Sequence, residues 1–235
     1  MSQEAVDYLL TEIRPTLVAE VVDVALELGS EDAHRADLGH FSVPRDVFAY
    51  VDHLGQIAYG GRSTKRSVRF LREFFPLRYD GVADLLYAMW RHGVVHSYEP
   101  ISYSVPLGDR EVAVYWVSTN HASDAVRQHH LLPYAIEGLD DVVALVVNTC
   151  QLACDLRDAL DTFIERLRGN PEWAASCAER IRRIRAVHPY TEVHGDARDL
   201  VREQVVAAWR ARGGILDGAA GVKSPHPAIS DRGNC

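Results

Sequence analysis

LDDVVALVVNTCQLACDLRDALDTFIERLR, residues 139–168, carries the most regular apolar pattern in the chain. Val142, Val146, Cys150, Ala153, Leu156, Leu160, Phe163 and Leu167 recur at intervals of three and four. At 3.6 residues per turn this makes one stripe along about eight turns. The spacing predicts a continuous helix over Leu139–Arg168 at the centre of a helical bundle. Gly169-Asn170-Pro171 stops it and opens another helix, along which Trp173, Cys177, Ile181 and Ile184 repeat.

The upstream sequence has the same period. Val6, Leu10, Ile13, Leu17, Val21, Val24 and Leu28 define a first long helix, which Pro15 is expected to kink or divide. A helix beginning near Pro44 carries Val47, Tyr50, Val51, Leu54, Ile57 and Ala58, and Gly60-Gly61 closes it. Ser63 to Phe75 and Asp80 to Val95 read as two more, the latter with Asp80 as N-cap. Asp196 to Arg212 is a final helix. The fold class is mainly α, one domain over 1–212, followed by a flexible Gly-, Pro- and Ser-rich tail at 213–235.

One stretch departs from the helical period. Ile101 to Leu107 and Glu111 to Val117 alternate apolar residues around Gly108-Asp109-Arg110, which predicts a β-hairpin over about 101–117. Asn120 to Glu137 reads as a loop-rich connection holding His121, His129 and His130, whose spacing has no metal-ligand periodicity.

The chain has 235 residues, is 47% hydrophobic and 25% charged, and carries a net charge of −8. Such a composition supports a sizeable core. It contains no apolar run near the ~20 residues of a membrane span, and its N-terminus lacks a signal-peptide pattern. The expected compartment is cytoplasmic. The four cysteines have neither disulfide-framework nor zinc-knuckle spacing, and Walker A, GxGxxG, GxSxG and HExxH motifs are missing. No cofactor and no metal are expected.

The chemistry-bearing stretch is Arg91-His92-Gly93-Val94-Val95-His96-Ser97-Tyr98. An arginine presents a permanent planar fork to phosphate oxygens, and an imidazole exchanges protons near neutrality. RNA cleavage needs both. On an ideal helix Arg91 and His96 diverge by about 140°, so fraying at Gly93 or a second chain is needed to bring them together.

RHGVVHSY resembles the Arg-x4-His-x-Tyr signature of HEPN domains (higher eukaryotes and prokaryotes nucleotide-binding), especially the small toxin members. His92 fits the polar residue that usually follows the arginine. The resemblance implies a HEPN-like helical bundle with an inserted hairpin, usually dimeric, acting as a metal-independent endoribonuclease of a toxin or defence system. It places Arg91 and His96 in the catalytic positions and Tyr98 where partner enzymes can modify it. Tyr98 and His92 would otherwise position RNA. An antitoxin or defence protein is the implied partner.

Charge is distributed unevenly around this motif. From Arg62 through Arg91 the chain carries net +4, leaving −12 elsewhere. Arg62, Lys65, Arg66, Arg69 and Arg72 recur at helical spacing, a stripe able to collect an RNA backbone. The alternative reading is a non-catalytic helical module, in which Arg91, His96 and Tyr98 cap and pack the scaffold. The stripe would then bind nucleic acid or an acidic partner, or simply pair with neighbouring carboxylates. Two further alternatives are a metal held by His92 and His96, and Asp155 with Asp158 as paired acids on the long helix.

Overall fold

In the computed structural model, described over residues 2–30, 40–61, 64–92, 102–107, 110–121, 123, 127–139 and 141–186, the chain is mainly helical with one small mixed sheet. The first helical rod runs as α1 (Ser2–Tyr8), a wide π turn (Leu9–Ile13), α2 (Arg14–Leu17), a second π turn (Val18–Val22) and α3 (Asp23–Leu28). Pro15 does not divide it. The Arg14 N–H reaches Leu9 O, five residues back, so the turn is already widened where the proline removes a donor.

α4 (Ser42–Tyr59) and α5 (Lys65–Phe74) follow, near the lengths the apolar spacing predicts. A short 3-10 turn (Leu77–Tyr79) leads to α6 (Ala83–Leu86) and a π turn (Tyr87–His92). The predicted start at Asp80 is displaced. Asp80 closes the 3-10 turn, its N–H bonding Leu77 O, and Val82 is the residue that caps α6. Beyond the sheet, α7 (Thr149–Arg168) and α8 (Pro171–Ala186) complete the described helices. The described residues all fall in one compact unit. The predicted helix Asp196–Arg212 and the 213–235 tail lie outside the described residues.

The continuous helix predicted over Leu139–Arg168 is the main correction. Its first part is a strand, β4 (Val142–Asn148), and the helix begins only at Thr149. Val142, Val143, Val146 and Val147 are β-branched and stiff, which favours a pleated strand. Asn148 makes the switch. Its backbone is extended, and its side-chain oxygen accepts from the Gln151 N–H at 2.8 Å, a helix N-cap.

The hairpin forms as β1 (Tyr103–Leu107) and β2 (Arg110–Thr119), paired antiparallel with Tyr103 opposite Val114. It belongs to a larger sheet than the alternation predicts. β4 runs parallel to β2, and β3 (Pro133–Ala135), inside the stretch read as loop, pairs antiparallel on β4's other side. The order is β1-β2-β4-β3.

α7 is the axis of the core. Leu152, Leu156, Leu160, Phe163 and Leu167 are buried along it, against α1, α4, α5 and α8. Phe163 meets Phe70 edge-on at 5.6 Å and Phe74 at 5.1 Å, and Trp173 stacks on Phe74 at 6.1 Å. These aromatic pairs contribute beyond their buried area. The sheet joins this core through Leu145 and Val147, while Tyr115, Val117 and Tyr134 stay exposed.

One seam fixes where α3 ends against the start of α7. The Cys150 thiol reaches Ala25 O and Asn120 O, each at 2.9 Å, and the Asn120 amide donates to Leu28 O. A Cβ at Gly29 would fall well inside contact distance of Asn120 O and the Cys150 sulfur. Because one of these obstacles is backbone, Gly29→Ala must displace the seam and is expected to cost about 2 kcal/mol. Thermal unfolding should show a lower midpoint, and an unchanged one would contradict the packing described.

Candidate functional site

Arg91 is the part of the sequence motif whose side-chain geometry is described. The π turn Tyr87–His92 carries it toward α4, where its Nε donates to Asp52 Oδ2 at 2.7 Å. The other carboxylate oxygen accepts from the Ser67 hydroxyl at 2.7 Å and from the Tyr87 hydroxyl at 2.6 Å. Asp52 thus joins α4, α5 and the motif turn. Burial, followed by the Asp52 carboxylate, pushes the Tyr87 hydroxyl up to about 12, so it remains a donor at neutral pH.

The arrangement leaves part of the guanidinium available. Arg91 is 28% exposed, and among the described residues only its Nε edge is bonded. The two terminal nitrogens form the fork that suits phosphate. The His92 backbone ends the π turn. His96 and Tyr98 lie outside the described residues, so the convergence of Arg91 with His96 is an expectation from the sequence.

The basic stripe is partly neutralised. Arg69 Nε bonds Glu73 Oε1 at 2.6 Å, its guanidinium lying over the Tyr59 ring at 4.2 Å, and Arg72 pairs with Asp84. Lys65 is exposed at the start of α5. Arg66 has its Nε and Nη1 shielded from solvent without a hydrogen-bond partner among the described residues. Arg62 lies outside them. What periodicity aligned as one cationic track is a row in which Arg69 and Arg72 each have their own carboxylate.

A second polar cluster lies in the interior. Asp155, 2% exposed on α7, pairs with Arg78 and accepts from Tyr79 Oη at 2.8 Å and Gln151 Nε2 at 2.7 Å. Tyr79 Oη also meets His130 Nε2 at 2.8 Å. Because the Asn148 N–H donates to His130 Nδ1 at 3.0 Å, the proton belongs on Nε2, which donates to Tyr79. Burial, reinforced by Arg78 and Arg127, holds His130 down to about 3, so it is neutral. Leu131, left-handed at φ 63°, turns the chain from this histidine toward β3.

This network separates the residues that spacing had grouped. Asp155 is buried while Asp158 is exposed beside Arg157, so the two do not form a carboxylate dyad. His130 is buried, whereas His121 and His129 are exposed. Among the described residues no three His, Cys, Asp or Glu side chains converge as a metal site. No described helix is long and apolar enough to cross a membrane.

Asp52 is the site residue that sequence reading missed. It lies 39 positions from Arg91 on another helix. On α4 it falls beside the apolar stripe, on the side that carries Arg45 and Gln56, so its spacing did not mark it as a partner of the motif. In comparisons with protein families, curated proteins and solved structures, nothing matches the chain.

Two measurements test this geometry. Asp52→Ala leaves Arg91, Ser67 and Tyr87 without their shared acceptor and should cost about 2 kcal/mol in urea unfolding. His130 is neutral in the fold and titrates near 6.5 when unfolded, so its contribution is complete above about pH 6.5. That contribution is lost on acidification toward about pH 3. Imidazole nitrogen shifts should report a neutral, Nε2-protonated His130 at pH 5, and a charged ring there would contradict the network.

Proposed function

We propose that the chain is a HEPN-like, metal-independent endoribonuclease of a toxin or defence system, with Arg91 and His96 as its catalytic pair. The observation that carries this reading is the Asp52 carboxylate on Arg91. It holds the Nε edge, while the terminal nitrogens have no hydrogen-bond partner among the described residues, and this supports reading Arg91 as a preorganised binder for a scissile phosphate. The motif's arginine is therefore a positioned cation rather than one spread over helix-end carbonyls. The wide turn that carries it adds support, since π turns often occur at functional sites.

In this mechanism Arg91 binds the phosphate and stabilises the charge that builds on its oxygens. His96 assists proton transfer as the ribose 2′-hydroxyl attacks phosphorus. The 5′-oxygen departs with a proton, leaving a 2′,3′-cyclic phosphate. Asp52 is a positioning residue, acting through Arg91. Tyr98 and His92 orient the RNA or serve as regulatory positions, and a two-fold dimer places two motifs in a common cleft.

The second reading, a non-catalytic helical module, is favoured by the ion pairs of Arg69 and Arg72. These reduce the charge available to an RNA backbone. The two readings differ in one assay. Single-stranded RNA incubated with the full chain and a chelator should yield cyclic-phosphate ends, and Arg91→Ala and His96→Ala should each abolish them. Asp52→Asn should lower kcat by one to two orders of magnitude with a smaller change in KM. Sedimentation should show a dimer. Equal cleavage by native and His96→Ala protein, or no cleavage by either, would overturn the catalytic reading.

A further inference from the structure

Most described arginines lie within 4 Å of a carboxylate, including Arg14 with Asp161, Arg78 with Asp155, Arg91 with Asp52 and Arg185 with Glu12. Arg166 and Arg180 make no such pair among the described residues. Arg166 Nη2 donates to the main-chain oxygen of Glu73 at 3.0 Å. Arg180 Nη1 donates to Ile57 O at 3.0 Å and Ala58 O at 2.7 Å, carbonyls in the last turn of α4. Both arginines line the same groove, about 640 Å³ in volume, between the ends of α4 and α5 and the junction of α7 with α8.

We propose that this groove binds a phosphorylated small molecule of about nucleotide size, through Arg166 and Arg180 with Arg69 at its edge. The volume lies in the range of small-molecule sites. Three guanidiniums face one carboxylate, Glu73, giving the groove net +2 in a chain of net −8. Glu73 is itself occupied by Arg69 Nε and by the Tyr59 hydroxyl, the latter at 2.7 Å. Main-chain carbonyls hold Arg166 and Arg180, neither of which has a carboxylate within 4 Å among the described residues, and Glu73 attracts Arg166 from beyond that distance. Their remaining donors form a preordered anion receptor.

The surrounding residues keep the receptor open and rigid. Gly60, at φ 71°, adopts a conformation that favours glycine, and a Cβ there would come within 3.2 Å of Arg180 Nε. Trp173 donates its indole N–H to Ala58 O at 3.0 Å and forms part of the groove wall. The Arg166 guanidinium lies 4.8 Å over the Phe74 ring. Trp173 gives the wall aromatic surface that suits a sugar or base beside the phosphate, and Tyr59 adds its edge, one face of its ring being covered by Arg69. The groove lining includes none of Arg91, Asp52, Ser67 and Tyr87, so it is distinct from the Arg91 cluster, and the inference does not rest on the nuclease reading.

The test uses the full chain, ADP and inorganic pyrophosphate as probes, and the Trp173 indole N–H resonance as the readout. ADP and pyrophosphate should each shift that resonance saturably, and binding should weaken as salt rises. Arg166→Gln removes the charge and shortens the side chain, so binding should weaken at least tenfold without loss of the folded spectrum. Arg180→Lys, which keeps charge but loses the fork, covers the case in which Arg166→Gln does not fold, and should also weaken binding. The proposal is overturned if ADP leaves Trp173 unmoved, if a folded variant binds as native does, or if sulfate at equal concentration gives the same shift. Saturable binding of single-stranded RNA at Trp173, with no response to ADP, would also overturn it in favour of a polymer-binding groove.

Discussion

The buried carboxylate of Asp155 is the contact through which the separate parts of this fold are registered. It pairs with Arg78 and accepts from Tyr79 and Gln151, while His130 joins through Tyr79. An uncompensated carboxylate in such a place would cost several kcal/mol, so each partner must be present and oriented. Tyr79 lies in the turn that starts the segment leading to Arg91. His130 lies in the connection between β2 and β3. One side chain on α7 therefore sets both the approach to the candidate site and the seating of the sheet.

Asp52 repeats that logic at the periphery. It is partly exposed rather than buried, and it gathers three donors from two other segments. Exposure lowers the energetic value of each bond. The Arg91 that results is still held well enough to have a direction, while its terminal nitrogens have no hydrogen-bond partner among the described residues. A fully buried arginine could not meet a substrate, and a fully solvated one would have to be ordered by it.

Much of the helical scaffold was legible because apolar residues at three- and four-residue intervals have one economical burial. α4, α5 and α8 follow that rule, and so does the hairpin by its alternation. β4 was hidden by an arithmetic coincidence. Val142 and Val146 fit a helical stripe that continues into Cys150 as well as they fit even-numbered positions on one strand face, and the β-branched density with Asn148 as a cap was the deciding signal. The Arg91 motif could be read locally, but its Asp52 anchor depends on how α4 crosses the motif turn. Likewise, periodicity aligned the α5 arginines yet contained nothing about Glu73 and Asp84 as their partners.

Cys150, Cys154 and Cys177 are buried, and burial raises their thiols, Cys150 and Cys177 to about 11. A thiol in that state is a poor nucleophile. Their positions make them internal clocks of opening: Cys150 at the α3–α7 seam, and Cys177 on α8 beside Arg180. An alkylating reagent would reach each sulfur only when its own neighbourhood parts, so the labelling rates at Cys150 and Cys177, compared in one unmodified chain, would resolve whether the sheet side and the α8 side breathe together or separately.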